Sequence, residues 1–292
     1  MNWGEDKVKP LEILELFGGI GALTKAFKRL GIPFNIADYV EIDKYAVTSY
    51  NAINNTNFEP QDICKWDKDI EVDLIMHGSP CQDFSLAGNQ AGGDKGSGTR
   101  SSLMYETIRI VNKLKPKYII WENVKNLLSK KHKHNFEAYL ETMEELGYNN
   151  YYQVLNAKDY GIPQNRERVF TISIRKDIDK GSFCFPKKQE LKIKLSNLLE
   201  ENVDSKYYIS EEMNNKIKFK DDKEELLIKN ATKKGYLKAD CGDSISLAYP
   251  NSKTRRGRVV NQMAQTITTI DNLGVVVNDN QRKNDCQVIQ RK

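Results

Sequence analysis

The chain's first ordered pattern is an apolar run, Leu11-Glu12-Ile13-Leu14-Glu15-Leu16-Phe17, that ends in glycines. Apolar positions then recur at helical spacing, Ala22, Leu23, Ala26, Phe27 and Leu30, before Gly31. This predicts a strand followed by an amphipathic helix that stops at a glycine. The same alternation repeats: a strand over 34–40, a helix over 45–53, a strand over 72–77, a helix over 101–114 and a strand over 117–122. The strand at 72–77 is the third, or the fourth if Asp62-Ile63 forms one. Strands alternating with helices predict an α/β fold with a doubly wound, mostly parallel sheet. After a helix over 135–146 the rhythm changes to two β-rich runs, 151–156 and 168–175, around Gly161-Ile162-Pro163. An antiparallel finish to the sheet is expected there.

From Lys187 the chain becomes rich in Lys, Glu and Asn, which predicts a smaller and less regular domain. The expected division is 1–186 for the main domain, 187–260 for the second, and 261–292 for a segment returning to the main body. In that last segment β-branched residues reappear at Thr266-Ile267-Thr268-Thr269 and Val275-Val276-Val277. A length of 292 residues accommodates this arrangement. The net charge of +5 is modest, but the basic excess falls in 187–260. Its clusters Lys187-Lys188, Lys233-Lys234 and Arg255-Arg256-Gly257-Arg258 suit contact with phosphates. No apolar run is long enough to span a bilayer, and the polar start is not a signal peptide. Five cysteines without a Cys-x-x-Cys pair favour a reducing compartment and argue against structural zinc. A cytoplasmic location with no membrane partner is therefore expected.

Candidate chemistry begins at Gly78-Ser79-Pro80-Cys81-Gln82-Asp83-Phe84-Ser85. Here a cysteine follows a buried strand through a Gly/Pro turn, at the strand end where open α/β sheets bind ligands. A single cysteine is more often core than nucleophile. Upstream, Gly18, Gly19 and Gly21 lie between strand and helix, where backbone can approach a ligand and helix amides can meet it. A dinucleotide fingerprint would need a third glycine where Thr24 stands. Glu41, at the end of the second strand, can accept hydrogen bonds from a ribose diol.

Five segments in series carry a resemblance: Phe17-Gly18-Gly19-Ile20-Gly21, Glu41-Ile42-Asp43, Pro80-Cys81-Gln82, Trp121-Glu122-Asn123-Val124 and Gln164-Asn165-Arg166-Glu167-Arg168. In this order they resemble the DNA (cytosine-5)-methyltransferases of restriction-modification or phage type, from about Leu11 to about Val277. The resemblance implies a Rossmann-like S-adenosylmethionine-dependent methyltransferase sheet with a small, irregular target-recognition domain. It implies cofactor contacts from Phe17, Gly18, Gly19, Ile20, Gly21, Glu41, Ile42, Asp62, Ile63, Pro80 and Leu103. Cys81 would add to cytosine C6, Glu122 would hold a proton at ring N3, and Arg166 and Arg168 would complete the site. Double-stranded DNA would meet Gln82, Ser85, Arg255, Arg256 and Arg258, and the glycine-rich stretch 88–98 would close over an extruded base. Glu15, Ala22 and Gln61 depart from the family's usual Asp, Gly and Gly. The family normally continues beyond Val277 with a helix and an Asn-bearing segment. A second chain supplying that segment, or an inactive DNA-binding chain, is the rival expectation, beside a tRNA cytosine-5 methyltransferase.

Overall fold

In the computed structural model, which describes residues 9–80, 103–200, 203–219, 225–267, 272–278 and 286–290, the alternation becomes a six-stranded sheet. Its elements in chain order are β1 (Leu11–Leu16), α1 (Ala22–Leu30), β2 (Phe34–Val40), α2 (Lys44–Asn54), β3 (Leu74–His77), α3 (Met104–Leu114), β4 (Tyr118–Val124), α4 (Lys133–Glu145), β5 (Tyr148–Asn156) and β6 (Glu167–Arg175). The strand order is β2-β1-β3-β4-β6-β5. The first four pair in parallel, and β6 runs antiparallel to β4. Asp62-Ile63 forms no strand, so β3 is the third.

A two-residue period sorts the strands between two apolar layers. Leu14, Leu16, Ile75, Ile119 and Trp121 face Ile110 and Val111 of α3 and Phe136, Tyr139 and Met143 of α4. Ile13, Leu74 and Met76 face the opposite way, onto Leu23 and Phe27 of α1. The doubly wound architecture follows from that alternation, since a parallel sheet must be covered on both faces. One irregularity matters later: β2 carries an extra residue against β1, so Ile13 pairs with Ile36 while Leu14 pairs with Asp38.

The chain divides into two compact units, 1–155 with 168–185 and 156–167 with 186–292. The second has its own core of Ile217, Ile228, Ala239, Ile245, Leu247 and Val276. It is built from α5 (Glu211–Ile217), β7 (Leu227–Lys229), β8 (Tyr236–Lys238), β9 (Ser244–Ser246), β10 (Val259–Val260), β11 (Leu273–Asn278) and β12 (Cys286–Gln290). Ser210 caps α5 by accepting from the Met213 amide at 3.2 Å. Val275-Val276-Val277, expected to return to the main body, lies in β11, which pairs with β9 and β12. Val276 enters this unit's core, which accounts for the pairing. Among the described residues, no helix is long and apolar enough to cross a membrane.

Candidate active site

Between β1 and α1 the chain makes a tight loop. Phe17 and Gly19 both have φ 53, and Gly21, φ 84, precedes the helix. A Cβ on Gly18 would stand 2.5 Å from Tyr39 Cε2, and one on Gly21 would stand 2.8 Å from Tyr50 Cε2. These two rings are stacked, with centroids 3.9 Å apart. The glycines therefore let the loop lie directly on an aromatic floor. Tyr39 donates its hydroxyl to the Gly19 carbonyl at 2.6 Å, and the Gly19 amide donates to Glu41 Oε2 at 3.1 Å. Beneath the loop Glu15 is fully buried. Thr24 and Tyr50 donate their hydroxyls to Glu15 Oε2, while Oε1 is buried without a hydrogen-bond partner. Burial raises the Glu15 carboxyl above its usual range, against the lowering effect of those two hydroxyls.

Ile20 in this loop and Ile42 just after β2 are exposed, at 59% and 68%. Two accessible apolar side chains, a carboxylate at a strand end and the N-terminal end of α1 suit a nucleoside ligand bearing a small carboxylate. Asp62 and Ile63 lie in the connection from α2 to β3. Asp62 Oδ1 accepts from the Cys64 amide at 3.0 Å, and Ile63 is buried. The Gln61 amide donates to the Glu41 carbonyl at 2.8 Å, tying this connection to the end of β2. Leu103, just before α3, packs on the main core, and Pro80 is half-buried.

β4 carries the acidic group. Glu122 Oε1 lies 3.0 Å from Arg168 Nε on β6, with the two side chains 26% and 16% exposed. The register places Val124 opposite Arg168 and Glu122 opposite Phe170, so the pair is diagonal across the strands. A Cβ on Gly78 would be 3.9 Å from Glu122 Oε2, which puts the carboxylate beside the turn leading to Cys81. The flanking residues hold that turn. Trp121 Nε1 donates to Ser79 Oγ at 3.0 Å, and Asn123 Nδ2 donates to the Ser79 carbonyl at 3.3 Å. His77 stacks on Trp121 with 5.6 Å between ring centroids, and burial pushes its pKa down to about 3, so the imidazole is neutral. Ser79 and Asn123 are site-shaping residues that sequence reading overlooked; Asn123 stood in plain view inside Glu-Asn-Val. Cys81, Gln82, Ser85 and 88–98 lie outside the described residues, as do Thr268 and Thr269.

The second unit corrects one expectation. Arg258 is 1% exposed, and its guanidinium donates to the carbonyls of Ser246 at 3.1 Å, Ala248 at 2.9 Å and Tyr249. It is a structural arginine with its donors turned inward, not a phosphate contact. Arg255 donates to Ser246 Oγ at 2.7 Å and lies over the Tyr249 ring. Arg256 is exposed and donates Nε to the Ala231 carbonyl at 3.1 Å, leaving it the outward member of the cluster. Arg166 also belongs to this unit, where its amide donates to Asn156 Oδ1 at 3.1 Å and its carbonyl accepts from Ala157 at 3.0 Å.

Comparison with known proteins matches residues 11–287 to the family described as C-5 cytosine-specific DNA methylase. The type II methyltransferase M2.ScrFI of Lactococcus lactis subsp. cremoris is 52% identical over 139 residues, covering 48% of this chain and 38% of that protein. The orphan methyltransferase M.SPRI of Bacillus phage SPR is 35% identical over 239 residues, covering 71% of this chain and 54% of that protein. The chain thus spans about half the length, or less, of these two curated relatives. Among solved structures, a variant of Spodoptera frugiperda DNMT2 superposes with a TM-score of 0.61 at 23% identity, over 85% of this chain and 73% of that one. A DNA modification methyltransferase from an E. coli prophage gives 0.54 at 22%, over 68% and 58%. These likenesses confirm the methyltransferase fold, and the match across 11–287 shows that the chain belongs to the C-5 cytosine-specific DNA methylase family.

Proposed function

We propose that this chain methylates C5 of cytosine in duplex DNA through a covalent adduct with Cys81. The observation that carries this reading is the Glu122–Arg168 pair at 3.0 Å, set beside the Gly78–Pro80 turn in a chain of this family. C5 of neutral cytosine is a poor nucleophile. Addition of the Cys81 thiolate at C6 makes it enamine-like, and the charge generated in the ring is met at N3 by a proton held on Glu122. Arg168 Nε keeps that carboxyl group aimed by holding its other oxygen. When C5 has gained its fourth substituent its proton is lost to a base, the C6–S bond breaks and the thiolate is regenerated. C6 is out of reach inside a duplex, so the target nucleotide is extruded.

S-adenosylmethionine, when bound, supplies the methyl group. The residues that would hold it are Phe17 to Gly21 along the loop, Glu41 at the ribose, and Ile42, Asp62 and Ile63 around the adenine. The outward charge of the second unit, Arg256 foremost, would meet DNA phosphates. The description of the matched family, C-5 cytosine-specific DNA methylase, supports DNA over RNA as substrate.

Duplex DNA carrying 5-fluorocytosine at the target should form a denaturant-stable adduct with the parent chain in the presence of cofactor, because fluorine at C5 cannot leave as a proton. Cys81→Ala should form none. An adduct that survives Cys81→Ala overturns the nucleophile assignment, and methyl transfer to tRNA but not to duplex DNA overturns the substrate.

A further inference from the structure

We propose that Asp38 and Arg109 are positioning residues for the adenine end of the cofactor site, acting from β2 and α3 on the segment that carries Asp62 and Ile63. The inference rests on the cofactor reading above and goes beyond it to residues that touch no ligand.

The connection from α2 to β3 contains neither strand nor helix, so no ladder fixes its backbone. Ordering such a segment costs backbone entropy, and something must offset that cost. Two side chains from distant elements meet it. The extra residue in β2 falls between Ile36 and Asp38, and bulges of this kind re-aim the side chains beside them. Asp38 Oδ2 accepts from Trp66 Nε1 at 2.7 Å and Oδ1 from Gln61 Nε2 at 3.0 Å, with Lys68 Nζ 2.8 Å from Oδ2. One buried carboxylate thereby grips the segment before and after Asp62-Ile63. Burial works to raise the Asp38 carboxyl, but Lys68, Trp66 and Gln61 outweigh it and hold the group below the usual carboxylate range. From the other side, Arg109 Nη2 donates to the carbonyls of Ile63 and Trp66, each at 2.9 Å, while Nε is held by Glu106 Oε2 at 2.8 Å.

The consequence is specific. Arg109 holds the carbonyl of a residue assigned to the adenine, and Asp38 holds the neighbour of the other one. Loosening either should move the adenine wall while leaving Glu122, Arg168 and the Ser79 turn on their own strands. The expected signature is weaker cofactor binding with the chemical step retained, a split that a general loss of folding would not produce.

The test is calorimetric titration of the full chain with S-adenosylhomocysteine, for Arg109→Lys, Arg109→Met and Asp38→Asn. Steady-state kinetics and thermal melts run alongside. We expect Kd to rise by about tenfold in Arg109→Met and Asp38→Asn, and by less in Arg109→Lys, which keeps one donor. KM for the cofactor should follow Kd, whereas kcat and KM for duplex DNA stay within about twofold. Arg109 is 39% exposed, so its variants carry the test should Asp38→Asn not fold. Folded Arg109→Met with unchanged Kd, or with a fall in kcat as large as the loss of affinity, overturns the inference. A parent chain that gives no heat with S-adenosylhomocysteine overturns the cofactor reading itself, and this inference with it.

Discussion

Gly21→Ala and Gly31→Ala form a matched pair that isolates what the loop before α1 requires. Both glycines have left-handed backbones, φ 84 and φ 65, so alanine at either costs about 1–2 kcal/mol for conformation alone. Their surroundings differ. A Cβ on Gly31 meets nothing within 4 Å, whereas one on Gly21 would stand 2.8 and 2.9 Å from two ring carbons of Tyr50 and 3.1 Å from Asn54 Nδ2. Tyr50 cannot retreat freely, because it is stacked on Tyr39 and donates to Glu15 Oε2 at 3.2 Å. Forced overpacking of this kind adds about 1–3 kcal/mol. Gly31→Ala should therefore cost about 1–2 kcal/mol and Gly21→Ala about 2–5 kcal/mol. Urea unfolding followed by circular dichroism measures both. Equal losses in the two variants would refute the argument that Tyr50 imposes glycine at position 21.

Glu122→Gln should lower turnover by about 10²-fold or more while duplex binding is retained, measured by methyl transfer and by a gel-shift titration; unchanged turnover removes Glu122 from the chemistry. The raised Glu15 carboxyl means that the folded chain keeps a proton which the unfolded chain releases above its ordinary value of 4.5. That contribution is complete at low pH and is lost as pH rises through the folded value, so Glu15→Gln should gain on the parent as pH is raised above that ordinary value in urea unfolding. A constant difference as pH rises speaks against a buried, proton-holding Glu15. Arg258→Met should destabilise by about 3 kcal/mol or more, since it strands buried carbonyls. Arg256→Ala should leave stability nearly unchanged and reduce the salt slope of DNA binding by about one. The opposite assignment of effects would mean that the two arginines have exchanged roles.

The first unit was legible because its elements obey simple periods. Apolar runs such as those holding Ile13, Leu14, Leu74 and Ile75 alternate with helical spacings in the residue string, although strands covered on both faces do not show there which residue faces which layer. The segment around Asp62 and Ile63 was not, because its shape is imposed by Asp38 and Arg109, partners more than twenty positions away in the chain with no repeat to announce them. Glu41 was read as a strand-end carboxylate, which it is, but its bond to the Gly19 amide shows only in three dimensions. Arg258 was misread because a basic cluster in a sequence says nothing of which way each side chain turns. Neighbouring carbonyls from Ser246 to Tyr249 decide that, and they converge only when β9 and β10 pair. In the second unit β7 to β10 are only two or three residues long, too short for a period to emerge.

β4 has a consequence for how this fold tolerates change in length. Residues 121 and 123 hold Ser79 while residue 122 between them presents its carboxylate to Arg168, so the Ser79 anchor and the Glu122–Arg168 pair are spaced by the pleat of a single strand. One residue inserted or deleted here would swap the faces, turning the clamp away from Ser79 and the carboxylate away from Arg168. Drift by substitution is open to this strand, drift by length is closed, and lengthening should be confined to the connections beyond its ends.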